Sequence, residues 1–150
     1  MKEWTGVVTV LSVSPIQEDH LALEHLLALG EWVPRKWALH ASCTFESAVT
    51  ALQEDRVPII LSECDLDPNT WRDLLQYVSL FSDPPLVIVT SRLADERLWV
   101  EALNLGAYDV LAKPFNSDEV YRVLESAWCH WANRREAVPE RPKQSAAVGS

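Results

Sequence analysis

The chain has 150 residues, 48% hydrophobic and 23% charged, the balance of one packed globular domain with short extensions, which excludes wholesale disorder. Thirteen Lys and Arg stand against 22 Asp and Glu, and the resulting charge of −9 disfavours non-specific attraction to nucleic-acid phosphates or an anionic membrane surface. No apolar run approaches the roughly 20 residues of a membrane span; with a polar N-terminus and three cysteines (Cys43, Cys64, Cys129) in no metal-ligand spacing, a reduced cytoplasmic protein is expected.

Strand-like and helix-like segments alternate along the chain. Val7 to Val13 is β-branched and nearly continuously apolar, as in a strand covered on both faces, and Ser14-Pro15 breaks it. Glu18 and Asp19 suit the positive end of a helix on which Leu23, Leu26 and Leu27 repeat, and Gly30 is placed to stop it. Trp37 to Ala41 predicts a second strand and Phe45 to Gln53 a second helix. Val57 to Ser62 predicts the third strand, ending in Glu63-Cys64-Asp65. A loop with Asp67-Pro68-Asn69 leads to a helix carrying Trp71, Leu74, Leu75 and Val78. Leu86 to Thr90 predicts the fourth strand, Ala94 to Leu105 a helix ended by Gly106, and Tyr108 to Ala112 the fifth strand, closed by Lys113-Pro114.

The last helix has the clearest pattern. Asn116 and Glu119 resemble a capping box, and Val120, Val123, Leu124, Ala127, Trp128 and Trp131 mark one face. Residues 136–150, rich in Pro, Ala and Ser, are expected to form a disordered tail beyond a domain of residues 1–135. Five βα repeats predict an α/β, doubly wound parallel sheet flanked by five helices. Its crevice lies at the carboxyl ends of the strands, which directs attention to Ser14-Pro15, Glu63-Cys64-Asp65, Thr90-Ser91 and Lys113-Pro114.

Together these positions resemble a bacterial response-regulator receiver domain over about residues 7–134. Pro85 to Ser91 resembles the family's fourth strand with its switch Thr or Ser. Glu101-Ala102-Leu103-Asn104-Leu105-Gly106-Ala107-Tyr108-Asp109-Val110-Leu111-Ala112-Lys113-Pro114-Phe115 resembles its EALxxGAxDYLxKPF stretch. The resemblance implies a flavodoxin-like sheet of order 2-1-3-4-5, with Thr90 and Lys113 as the phosphoryl-contacting hydroxyl and amine. It also implies a cytoplasmic signalling role without enzymatic activity, and a protein partner such as a histidine kinase.

The other family positions depart from the pattern. The phosphoacceptor Asp falls on Glu63, and the Mg²⁺-binding acidic pair falls on Val13-Ser14 or Ser14-Pro15, where no carboxylate stands. The switch aromatic falls on Val110 and the loop proline on Asp67. Mg²⁺ is a hard cation that needs oxygen ligands, so no cofactor is expected and Mg²⁺ binding should be weak or absent. The expected function is that of a pseudo-receiver acting through protein contacts, in which a Glu63–Lys113 ion pair replaces a phosphorylated aspartate. The alternative is a working phosphoacceptor modified on Glu63 or Asp65. A flavodoxin-like ligand binder would need a phosphate loop or Gly-rich turn that is missing after the first strand.

Plainer readings stand beside these. Glu63 also reads as a solvated strand end, Thr90 as a β-branched strand end, and Lys113 as a surface lysine. Glu18 and Asp19 could replace the missing acids, and Asp65 and Asp67 could supply metal oxygens from the loop, but the default readings are first-turn acids and solvated loop acids. Cys64 reads as a small buried residue, and His20, His25, His40 and His130 as structural or surface residues. Trp99, Trp128 and Trp131 are candidates for an exposed aromatic patch, on the face of helix four, strand five and helix five through which a homodimer or a partner would dock.

Overall fold

The computed structural model describes residues 7–28, 36–66 and 70–137. Strands and helices alternate as β1 (Val7–Val13), α1 (Gln17–Ala28), β2 (Lys36–Ser42), α2 (Phe45–Glu54) and β3 (Ile59–Glu63). They continue as α3 (Trp71–Val78), β4 (Leu86–Ser91), α4 (Glu96–Leu105), β5 (Asp109–Ala112) and α5 (Ser117–Ala137). The five strands form one parallel sheet of order β2-β1-β3-β4-β5. The expected stop at Gly30, the loop acid Asp67 and residues 138–150 of the expected tail lie outside the described residues, while α5 runs two residues into that tail, to Ala137.

Alternation along the strands divides the core. Val8 and Val10 of β1, Ile59 and Leu61 of β3, Ile88 of β4 and Leu111 of β5 face a cluster built with α1 and α5. Leu11, Val13, Ile60 and Val87 face the opposite way, against α2 and α3. Val89 and Val110 on that second face meet Trp71 of α3 and Ala102 of α4. Both faces are covered, which is why the strands read as apolar runs.

Local chemistry sets the element ends. Pro58 has no N–H, so β3 starts only at Ile59, later than the apolar run from Val57 suggests, and the Pro58 carbonyl accepts from Leu86 N–H at 2.8 Å. β3 then continues through Glu63, one residue beyond the expected end. Asp95 caps α4 by accepting from Leu98 N–H at 3.0 Å, so this helix starts at Glu96 rather than Ala94. Gly106 ends it with φ of 107°, a left-handed backbone at which a side chain would be strained. Thr70 and Asp73 close a capping box on α3 that the sequence reading missed. Asn116 Oδ1 accepts from Glu119 N–H at 3.0 Å at the start of α5.

One expectation is overturned. Trp128 and Trp131 were assigned to an exposed aromatic patch, yet they are 6% and 1% exposed and stack on each other in the cluster between α5 and the sheet. They sit on the same helical stripe as Val120, Val123, Leu124 and Ala127, and that stripe is the one the sheet covers. Trp99 on α4 differs, with 44% exposure.

Trp131→Ala should therefore cost about 3–5 kcal/mol of folding stability, as expected for a large aromatic removed from a packed core. Trp99→Ala should stay within about 0.5 kcal/mol of the parent in the same urea titration.

Candidate functional site

The two-residue strand period decides which side chains meet at the carboxyl edge. Ser12 follows Val10, Glu63 follows Leu61 and Thr90 follows Ile88, so all three lie on the face covered by α1 and α5, and Glu63 is directly paired with Thr90 across β3 and β4. Lys113 sits two residues after Leu111, just past β5, its N–H donating to the Ser91 carbonyl at 3.0 Å. Lys113 reaches back across the sheet end, and its ammonium donates to Glu63 Oε1. The other carboxylate oxygen, Glu63 Oε2, accepts from Asp65 N–H at 3.0 Å. Glu63, Thr90 and Lys113 are all buried.

Asp19 is a third member. The sequence offers it as a substitute for the missing acids but favours a first-turn dipole role; its Oδ2 lies 2.7 Å from Lys113 Nζ and accepts from Ser14 Oγ at 2.8 Å. Ser14 thus holds a carboxylate delivered from the first turn of α1, and that carboxylate is taken up by Lys113. Ser14 Oγ accepts in turn from Ile16 N–H at 3.0 Å, which fixes the turn between β1 and α1. Position 19 carried a signal, since a residue in the first turn of α1 stands over the ends of β1 and β3.

Lys113 therefore faces two carboxylates with one ammonium. Burial works against the charged amine, but hydrogen bonds to Asp19 and Glu63, and the charges of both, outweigh it and hold the Lys113 pKa above its ordinary 10.5. The neighbouring thiol behaves differently: burial pushes the Cys64 pKa up, the hydrogen bond from Ser91 opposes this only in part, and the acids beside it add to the rise.

The remaining positions fall as follows. Thr90 lies beside Glu63, and among the described residues its hydroxyl bonds neither Glu63 nor Lys113; its carbonyl accepts from Cys64 N–H at 2.9 Å. Val110 is buried against Trp71, Val89, Ala102 and Ala107, so the space beside β5 is filled by an indole delivered from α3. Arg72, next to that indole, ties α3 to α4 through Glu101 at 2.6 Å. His25, His40 and His130 are exposed, whereas His20 is buried.

Among the described residues, Glu63, Cys64 and Asp65 form a cluster whose ligand atoms lie within 4.8 Å of one another. The donor set does not fit Mg²⁺. Both Glu63 oxygens are engaged, the Cys64 thiol is held protonated, and a hard cation needs oxygen ligands. Asp65 is left as the one exposed carboxylate.

The Lys113 interactions have a defined pH signature. A folded pKa above the unfolded value stabilises fully below the unfolded value, and this stability is lost as pH rises through the folded pKa. Urea unfolding from about pH 7 to about pH 12 should show that alkaline loss in the parent and a flatter profile in Lys113→Met. At neutral pH, Lys113→Met should cost about 3–5 kcal/mol, because it leaves Glu63 buried without its cation.

No family model matches the chain. The transcriptional regulatory protein KdpE of Staphylococcus aureus (strain NCTC 8325 / PS 47) is 29% identical over 116 residues, covering 73% of this chain and 48% of that protein. The chain thus spans about half the length of this curated relative. The signal receiver domain of an HD domain-containing protein from Pseudomonas fluorescens Pf-5 superposes with a TM-score of 0.76 at 24% identity, over 88% of this chain and 94% of that one. The chemotaxis response regulator CheY4 of Vibrio cholerae gives 0.70 at 18% identity, over 81% and 98%. With five parallel strands in the order 2-1-3-4-5 and five helices, the chain has the flavodoxin-like fold of signal receiver domains.

Proposed function

We propose that the chain is an atypical receiver module that signals in the cytoplasm through protein–protein contact, without a phosphorylation cycle and without enzymatic activity. One observation carries this reading: both oxygens of the Glu63 carboxylate are already engaged, one by Lys113 and one by Asp65 N–H. Phosphoryl transfer to a carboxylate brings negative charge onto negative charge, and a metal ion ordinarily neutralises it. Val13 and Ser14 offer no carboxylate to hold such an ion, and the nearby Lys113 ammonium is divided between Glu63 and Asp19. Glu63 is one methylene longer than Asp, so its charge projects towards Lys113 and takes the place of a transferred phosphoryl group.

The docking face of this module is α4. Leu93, Trp99, Val100, Leu103 and Leu105 are exposed on it or beside it, an apolar surface of the kind that marks interfaces. Its occupant is a signalling protein, such as a histidine kinase of a two-component pathway, or a second copy across a two-fold axis. Trp128 and Trp131 take no part.

Intact-mass measurement after incubation with acetyl phosphate and Mg²⁺ should show no adduct on the parent chain. Glu63→Asp alone should stay unlabelled, and labelling should appear only when Val13→Asp and Ser14→Asp accompany it. An adduct on Glu63 or Asp65 of the parent chain would establish the phosphoacceptor alternative instead. For the face, sedimentation should show self-association that Trp99→Ala weakens at least tenfold while folding stability holds; a monomer at high concentration would leave a heterologous partner as its occupant.

A further inference from the structure

On the reading of the site as a permanent ion pair, we propose that His20 is its positioning residue, stapling α1 to the end of β1 so that Asp19 holds Lys113 against Glu63. The ring is 1% exposed and both its nitrogens are used. Nε2 lies 2.9 Å from the Ser14 carbonyl oxygen, and Nδ1 lies 2.9 Å from Ser12 Oγ. A carbonyl oxygen only accepts, so Nε2 carries the proton and donates, while Nδ1 faces a hydroxyl that can donate to it. Both partners belong to the end of β1 or the residue just after it, six and eight residues before the ring. The first turn of α1 is thereby tied to the sheet at two points.

The tie matters because Asp19 is the next residue along the helix. Ser14, whose carbonyl accepts from His20 Nε2–H, also donates its hydroxyl to Asp19 Oδ2 at 2.8 Å. A continuous relay therefore runs from Ser12 through His20, Ser14 and Asp19 to Lys113 and Glu63. Asp19 sits nearer to solvent than its two partners in the ion-pair cluster, so water competes for its carboxylate. A helix end free to fray would let it exchange the Lys113 ammonium for water. An apolar side chain at position 20 would fill the space, leave the buried Ser14 carbonyl without its donor and release that end.

The test follows the Lys113 titration by NMR at its Cε carbon in the full chain, with Asp19→Asn marking complete loss of the Asp19 contribution. His20→Leu should lower the Lys113 midpoint as far as Asp19→Asn does, and the double variant should go no further. His20→Gln, which places a donor near the Nε2 position, should recover at least half of the difference, whereas His20→Asn, which reaches only towards Ser12, should not. A role in filling volume alone would be met by Leu and would not separate Gln from Asn. Should His20→Leu fail to fold, the Gln and Asn variants decide the matter: equal midpoints in these two overturn the proposal, and so does a parental midpoint in a folded His20→Leu. Phosphoryl labelling is recorded on the same samples, where an adduct overturns the phosphorylation-independent reading and an unmoved Lys113 midpoint overturns the role of His20.

Discussion

One buried ammonium holds three distant parts of the chain at a single point. Lys113 lies just beyond β5, Glu63 at the end of β3 and Asp19 in the first turn of α1, so the interaction spans 94 residues of sequence. Taking these charges out of water costs several kcal/mol per ion, and their attraction offsets it only where geometry and supporting hydrogen bonds are good. Support is present on every side: Asp65 N–H on Glu63, Ser14 Oγ on Asp19 and the Ser91 carbonyl on the Lys113 backbone. Such a cluster adds little net stability compared with an apolar plug. What it fixes is the relative placement of β3, β5 and α1, the three elements that frame the crevice.

The rest of the fold makes this convergence unavoidable. A parallel sheet brings every strand end to one edge, and the period of two sends Ser12, Glu63 and Thr90 to the α1–α5 face. On the opposite face Trp71 occupies the corresponding place, packed between β4, β5 and α4 against Val89, Val110 and Ala102. The two faces are therefore closed by different means, one by charge and one by an indole. Motion of α4 relative to the sheet would have to displace the largest side chain beneath it.

Much of this was legible in the sequence, and the exceptions have physical causes. Apolar runs punctuated by Pro and Gly gave the ten elements of the described residues, because strands covered on both faces leave no polar alternation to confuse them with loops. Glu63 and Lys113 were found because strand-end acids and a Lys-Pro pair fall at the carboxyl edge of such a sheet. Asp19 was ranked as a first-turn acid ahead of a substitute for the missing acids, because its partner stands 94 residues away and the helix dipole gives such an acid a sufficient local explanation. The four histidines were read together as structural or surface residues, because histidines without ligand spacing look alike in a sequence, and only His20 is turned inward against β1. Trp128 and Trp131 were misjudged for the opposite reason. Their spacing already placed them on the apolar stripe that the sheet covers, and naming them as candidates for an exposed patch set that signal aside.

The Lys113–Glu63 and Arg72–Glu101 ion pairs are of very different kind, and the medium reaches only the second. Mobile ions screen charges that water can surround, over a length of about 8 Å at physiological ionic strength. The Lys113–Glu63 pair is closed to them, since these side chains are 6% and 5% exposed, whereas the Arg72 and Glu101 side chains linking α3 to α4 stand 46% and 38% exposed. Added salt thus leaves the crevice as it is and loosens the outer tie of α4, the helix that carries the apolar face. The crevice is chemically insulated, whereas α4, with its exposed apolar residues, keeps a tie that the ionic surroundings can tune.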